Sequence, residues 1–424
     1  MKDKRVDSQQ PKQPASETRR LVIKASALTV AAAGGAGVAP FFGPWKHNHA
    51  WSQTAQKKPL VIGLTMDASG QYGASGMEER LGAMMAIKEF NAKGGVLGGR
   101  KFELVRRDDE ANPAKGQIAA RELLFKEKVA VLFGGLDSPV ALAIVPIINQ
   151  EKVPFMDPWA AGTPITRNGA NPNFAFRVSA VDELVDRAML QYAQTHYKSK
   201  TPGVIVVNNP WGESNQKGLV AALEAKGVKA AGVEKFEPND VDVTPQLSRL
   251  KNAGADSLML VGNVGPSAQV VKSLDRMGWK VPIVSHWGPA GGRFTELAGP
   301  NAKDVVFVQT YSFFGKQSPA GERVLAALKK KYPDVKGPGD ATPAVGIANA
   351  YDAMHLVALA IEKAGSTNGD AIRQGFYKID SYDGLIKKYN KPFTPDNHDA
   401  IGENDYIWTR FIGQEILPVE MAAK

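Results

Sequence analysis

Short apolar runs rich in β-branched residues alternate with stretches of helical period along most of this chain, and the alternation runs through twice. The first series has strand-like runs at residues 60–64, 102–106, 129–133, 153–156 and 174–178. The second has them at 203–207, 228–233, 257–261 and 281–285, with another at 305–309. Helical stretches lie between and after them, among others at 113–126, 182–197, 244–253, 266–277, 319–332 and 342–364. Parallel strands need a long crossover between them, usually a helix, and the connection is almost always right-handed. Two successive β-α series therefore predict an α/β chain built as two doubly wound parallel-sheet lobes. Residues 381–424 read as short strand-like pieces and turns.

The stretch from 129 to 163 holds the most informative turn. Its strand ends at Gly134-Gly135, which cannot continue a strand cheaply. Ser138-Pro139 then reads as a hydroxyl N-cap followed by proline at the first helical position, with Pro146 kinking the helix beyond. First-turn amides lack intrahelical partners and carry the positive end of the helix dipole. These amides and the Ser138 hydroxyl could hold a small anion such as a carboxylate. On local grounds alone the same residues fit a plain strand-to-helix turn, which α/β proteins have many of, better than an anion site. Asp137, in the same turn, is placed with the ligand-facing residues. The loop Asp157-Pro-Trp-Ala-Ala-Gly-Thr163 follows the next strand at its carboxyl end, where open α/β sheets bind ligands.

A length of 424 residues accommodates two cores and a leader. Arg19-Arg20, Leu21-Val22-Ile23 and Lys24, followed by an Ala/Gly-rich, mildly apolar stretch over 25–39, resemble a twin-arginine export signal, and residues 1–58 are read as signal and spacer. That segment accounts for most of the formal charge of +9: it holds ten Lys/Arg against three Asp/Glu, leaving 42 against 40 for the rest. Nucleic-acid binding thus has no electrostatic argument. The sequence contains no cysteine, which excludes thiol catalysis, disulfides, Cys-ligated metal and a lipidated cysteine at the signal boundary. The expectation is a monomer, exported and free in the periplasm of a double-membraned bacterium.

No G-x-S-x-G elbow, H-E-x-x-H, P-loop or G-x-G-x-x-G stands in the strand-turn-helix context that would confirm it. Gly262-Asn-Val-Gly265 follows a strand but lacks the third glycine and a supporting acid. Asp108-Asp109-Glu110 could ligate a metal, although carboxylates clustered after a strand are more often solvated or cap the next helix. His196, His286, His355 and His398 are scattered. With no nucleophile beside a base, the chain is expected to be no enzyme and to need no cofactor or metal.

Val61-Ile-Gly-Leu64, Ser69-Gly70 and Tyr72-Gly73 open a set of segments that belong together. The others are Phe90-Asn-Ala-Lys-Gly-Gly-Val-Leu-Gly-Gly99, Asp108-Asp109 with Asn112-Pro113, Gly134-Gly135 with Ser138, and Phe176-Arg-Val178 with Asp182. In combination they make residues 59–424 resemble the branched-chain amino-acid (Leu/Ile/Val-binding) family of periplasmic solute-binding proteins, the type I fold that serves ABC importers. The resemblance implies two lobes joined by three crossings, near 178–180, Gln309 and 398–402. Lobe I would comprise 59–179 and 309–398, lobe II 180–308 and 399–424, closing on a hinge around the ligand.

By the same resemblance, Ser138 and the main chain of Ala160 and Ala161 hold a ligand carboxylate, with Thr163 adding a hydroxyl. Asp182 meets the ligand ammonium, although it also reads as a helix N-cap, and Trp211 packs over the ligand. One departure concerns the second lobe, where the family usually supplies another acid for the ammonium: Ser285-His286-Trp287-Gly288 places Trp287 there. Tyr72, Trp159, Trp211, Trp287 and Phe313 or Phe314 all fall in strand-end loops, so the cleft is expected to be rich in rings, unless several of them merely close the lobes. The implied function is capture of an amino acid with a large apolar side chain, or a related aromatic or branched carboxylate, for the permease subunits of an ABC importer. A sensor of the same fold, and after it an exported enzyme, are the alternatives.

Overall fold

The computed structural model describes residues 57–422, so the export signal expected at 18–39 lies outside the described residues. The first lobe opens with β1 (Leu60–Met66), α1 (Gly73–Ala92), β2 (Phe102–Asp108), α2 (Pro113–Phe125), β3 (Val131–Gly134), α3 (Ser138–Glu151), β4 (Phe155–Asp157), the single turn α4 (Thr163–Thr166) and β5 (Ala175–Arg177). These strands form one sheet in the order β2-β1-β3-β4-β5, with every neighbouring pair parallel. Sequence supplies the punctuation. Asn112 accepts hydrogen bonds from the Ala114 and Lys115 N–H groups ahead of Pro113, which starts α2. Gly134 ends β3 at φ +115°, and a Cβ there would lie 1.9 Å from the Thr65 carbonyl oxygen. Only glycine fits that turn.

The second lobe runs through α5 (Asp182–Tyr197), β6 (Pro202–Val207), α6 (Pro210–Ala225), β7 (Gly232–Phe236), α7 (Thr244–Asn252), β8 (Ser257–Val261), α8 (Val264–Arg276), β9 (Ile283–Ser285), α9 (Phe294–Ala298) and β10 (Val305–Gln309). The chain then returns to the first lobe with α10 (Pro319–Lys331), α11 (Ala344–Ala364) and α12 (Gly369–Tyr377), and α11 packs along both α1 and α12. The strands β11 (Ser381–Asp383) and β12 (Lys388–Asn390) make a small separate hairpin. Then β13 (Ile407–Ile412) and β14 (Glu415–Pro418) join the second sheet antiparallel, giving β14-β13-β10-β9-β8-β6-β7. Each sheet carries its own buried apolar cluster. The helix α11 is long and apolar enough to cross a membrane, but 89% of its most apolar stretch is buried inside the protein.

Three differences from the sequence reading have physical reasons. The strand expected at 228–233 is found at Gly232–Phe236, because this is an edge strand whose side chains alternate between half-buried and exposed. Such a strand needs no continuous apolar run. The helix α12 had not been anticipated; Asn368 caps it through the Ala371 N–H, and Ile372 and Phe376 bury one face four residues apart. Finally, the N-cap position of α3 falls one residue earlier than expected, at Asp137, whose side chain makes no cap hydrogen bond, with Ser138 already helical.

The chain crosses between the lobes after β5, after β10 and ahead of β13. The first and third crossings run side by side: the Arg177 N–H donates to the His398 carbonyl, and the Ala400 N–H to the Arg177 carbonyl, both at 2.9 Å. The fully buried Arg177 guanidinium bonds Asp399 and Thr166 at 2.8 Å and the Gly162 carbonyl at 2.8 Å. One side chain thus ties two crossings to the loop that follows β4.

Candidate functional site

In a sheet ordered 2-1-3-4-5, the helices after β1 and β3 leave on opposite faces, and a crevice opens between their loops at the carboxyl ends of the strands. Those loops carry Tyr72 and Asp137. The second sheet reverses in the same way between β6 and β8; Trp211 stands in the first turn of the helix after β6, and Asn263 in the loop after β8. Between the two crevices lies a cavity of about 30 Å³, lined by Tyr72, Ser75, Asp137 and Trp159 from the first lobe and by Asn263, Trp287 and Gly291 from the second. A water needs roughly 10–15 Å³ on this measure, whereas a cavity of about 150 Å³ accepts benzene. The cleft is therefore closed down to the size of a water or two.

Direct contacts hold it closed. The Tyr72 hydroxyl accepts from Asn263 Nδ2 at 2.6 Å, Ser75 Oγ donates to the Gly291 carbonyl at 3.4 Å, and the Thr163 N–H donates to Ser214 Oγ at 3.0 Å. The rings of Trp159 and Trp287 meet across the gap with centroids 5.9 Å apart and planes tilted by 46°. Every one of these contacts joins one lobe to the other. A solute larger than water enters only when they part.

The first-lobe wall is acidic. The Asp67 carboxylate accepts from the Gly70 and Tyr72 N–H groups at 2.6 and 2.7 Å, which shapes the loop that presents the Tyr72 ring. Burial pushes the Asp109 carboxyl up to about 7, reinforced by Asp67 and Asp108, and its Oδ2 meets no donor. Burial pushes Asp137 up to about 7 as well, with the charges of Asp109 and Asp67 adding to it; hydrogen bonds from the Asn263 amide and the Ser138 N–H work the other way. Deeper in, burial together with Asp157 and Asp109 holds Glu79 well above the ordinary carboxylate range.

Of the nine residues expected to meet a ligand, Tyr72, Asp137 and Trp287 line the cavity and the other six do not. Ser138 Oγ, expected to cap α3 and hold an anion, instead accepts from the Gly162 N–H at 3.1 Å and so ties two loops together. The Ala160 N–H is taken by Asp157 Oδ1 at 2.8 Å, and the Ala161 carbonyl accepts from the Asp182 N–H at 2.8 Å. The Thr163 hydroxyl accepts from the Glu183 N–H at 3.1 Å, serving the first turn of α5. Asp182 neither caps its helix nor reaches the cavity. It is fully buried, with Oδ1 accepting from Trp211 Nε1 at 3.0 Å and lying 3.1 Å from His286 Nε2. Trp211, expected over the ligand, belongs to the second-lobe core. Phe313 and Phe314 line a different small cavity beside Gln309.

Trp159, expected among the rings of the cleft, lines the cavity, whereas Asn263, Ser214 and His286 gain roles that were not assigned to them from sequence. Asn263 sits at the N-cap of α8, at the end of a buried strand, in a Gly-Asn-Val-Gly turn read as structural only. His286 Nδ1 accepts the Trp287 N–H at 2.8 Å, which places a ring proton on Nε2, the nitrogen that faces Asp182.

Comparison with known proteins supplies the remaining context. A family model described as periplasmic binding protein matches residues 59–407. The leucine-, isoleucine-, valine-, threonine-, and alanine-binding protein of Pseudomonas aeruginosa is 25% identical over 315 residues, covering 74% of this chain and 81% of that protein. Among solved structures, a type 1 periplasmic binding protein from Bordetella pertussis superposes with a TM-score of 0.77 at 24% identity, covering 85% of this chain and all of the other. A solute-binding protein of an ABC transporter from R. palustris, solved with 4-hydroxybenzoate, does so with a TM-score of 0.71 at 22% identity, covering 85% and 95%.

Proposed function

The chain belongs to the periplasmic binding protein family, and from that premise we propose that it captures a small organic solute between its lobes and delivers it to the membrane subunits of an ABC importer. Its relatives are solute-binding proteins, which accords with a binding role and no catalysis. The observation that carries the reading is the interlobe cavity: rings, hydrogen-bond donors and one carboxylate converge from both lobes on one small space. A solute that contacts both walls favours the closed arrangement by its differential affinity for it, which is how binding is converted into a shape that a permease can read. Residues 1–58 would direct export, and the folded part would act in the periplasm as a monomer. The solute class we favour is an amino acid with a large apolar side chain, because Trp159 and Trp287 give the cleft two broad apolar faces.

A second reading is capture of an aromatic carboxylic acid. It is supported by the same pair of rings and by the fold shared with the protein solved with 4-hydroxybenzoate. A thermal-shift screen of the full chain against amino acids, aromatic acids, dicarboxylates and amides tests both. A rise in melting temperature with recovery of the solute unchanged supports capture, whereas a chemically altered solute would return the protein to the enzymes.

A further inference from the structure

The polarity of the cleft wall separates those two solute classes. Among the described residues, Asp137 is the one charged side chain that lines the cavity, and no lysine, arginine or histidine does. Behind it stand Asp67 at the end of β1 and Asp109 at the end of β2, whose charges both act on it. In front of it are the Tyr72 hydroxyl and the Asn263 amide, and the first N–H of its own helix, that of Ser138, already faces its carboxyl. The N–H groups of Val140 and Ala141 in the first turn are taken by the Asp137 main-chain carbonyl at 3.0 Å, and a solute anion at this helix start would lie beside the Asp137 carboxyl. The cation best placed to answer a carboxylate nearby, Arg177, spends its donors on Asp399, Thr166 and the Gly162 and Ala160 carbonyls. Asp182, the other candidate for an ammonium, is sealed beneath Trp211 and His286.

A bare carboxylate closed into this space would meet like charge with no counter-ion. An ammonium would meet the Asp137 carboxyl and the two indoles that line the same cavity, and aromatic rings attract cations by their quadrupole. We propose that the cleft selects solutes carrying an ammonium, with Asp137 as the counter-charge and Trp159 and Trp287 as the walls around it. The proposal rests on the reading that this cavity is the solute site. It places recognition of the nitrogen in the first lobe and makes any carboxylate of the solute the secondary group.

The test uses the full chain and two matched trios: L-phenylalanine, phenethylamine and 3-phenylpropanoate, and L-leucine, isopentylamine and 4-methylpentanoate. Thermal shift and isothermal titration are read on the wild type and on Asp137→Asn, whose unliganded melting temperature reports whether it is folded. A charge-assisted hydrogen bond contributes roughly 1.5–3 kcal/mol, so affinity for the amine-bearing members should fall about 10- to 150-fold in Asp137→Asn. In the wild type the deaminated acids should bind at least tenfold more weakly than the matching amino acids. If the acids bind as tightly as the amino acids, or if a folded Asp137→Asn keeps full affinity for the amines, the proposal is overturned while solute capture stands. If none of the six shifts the wild type, the proposal falls together with the reading beneath it. Trp159→Leu supplies an independent check, since it should weaken phenethylamine more than 3-phenylpropanoate.

Discussion

The Trp211 indole donates to Asp182 Oδ1 at 3.0 Å in a pocket with no solvent access, and His286 Nε2 lies 3.1 Å from the same oxygen. The relationship turns an acid that the family resemblance assigns to the ligand into an internal strut. Asp182→Ala leaves the Trp211 N–H buried without an acceptor, at a cost of about 1–3 kcal/mol. Asp182→Asn keeps an acceptor and should cost less. Urea denaturation of both variants checks the order, and the preference for L-phenylalanine over 3-phenylpropanoate should survive in each. A folded Asp182→Asn that has lost that preference would return the acid to the solute.

The hinge pair gives a second prediction. Burial alone would raise the Asp399 carboxyl, but the Arg177 charge beside it, with hydrogen bonds from Thr166 and Arg177, holds it below the ordinary carboxylate value. A carboxyl whose folded value is depressed contributes stability that is present above its unfolded value, about 3.9, and is lost as the pH falls through the folded one. Asp399→Asn should therefore destabilise strongly at pH 7, by about 3–5 kcal/mol as for a broken buried pair, and the gap to wild type should narrow below about pH 4. Denaturation midpoints at pH 7 and pH 3 measure it.

Binding should depend on pH through Asp137. With the group at about 7 in the closed, unliganded cleft, an ammonium must displace a proton at acidic pH. Affinity for phenethylamine, which stays protonated across the range, should weaken by up to about tenfold per pH unit below 7 and level off above it. Asp109, also at about 7, and Asp67, raised by burial, stand behind Asp137 and add to the same sign; Tyr72, Asn263, Trp159 and Trp287 face it uncharged. Titration calorimetry from pH 5.5 to 8.5 in buffers of different ionisation enthalpy follows both the affinity and the proton released.

Asn263→Ala removes the amide that reaches Tyr72 across the cleft. Hydrogen bonds of this kind contribute about 0.5–1.5 kcal/mol, so the closed population without solute should fall several-fold while the melting temperature changes little. Small-angle scattering of the unliganded variant should give a larger radius of gyration than wild type.

The architecture was legible from sequence because buried parallel strands announce themselves as short apolar runs, and glycine pairs, proline and asparagine caps punctuate them. The two-lobed α/β fold follows from that pattern alone. The edge strand at Gly232–Phe236 was misplaced since it alternates, and α12 was missed since its signal is one cap and two apolar residues. The cleft was only partly legible. Tyr72, Asp137 and Trp287 follow from their places after strands, but nothing local indicates that Asp182 is sealed by Trp211 and His286, groups 29 and 104 residues away. Nor could local sequence show that the Ser138 hydroxyl is engaged by Gly162. Polar groups near a site are claimed by whichever partner the fold brings closest, and that partner is distant in the chain.

Because the natural sequence has no cysteine, two labels can be placed without background. Lys115→Cys on α2 and Lys217→Cys on α6 are exposed positions, one on each lobe. Pulsed electron–electron resonance between spin labels at these sites reports the lobe separation directly. Adding L-phenylalanine or L-leucine, whichever shifts the melting temperature, should convert a broad distance distribution into a shorter and narrower one. A distribution unchanged by a solute that demonstrably binds would contradict capture by closure of the two lobes.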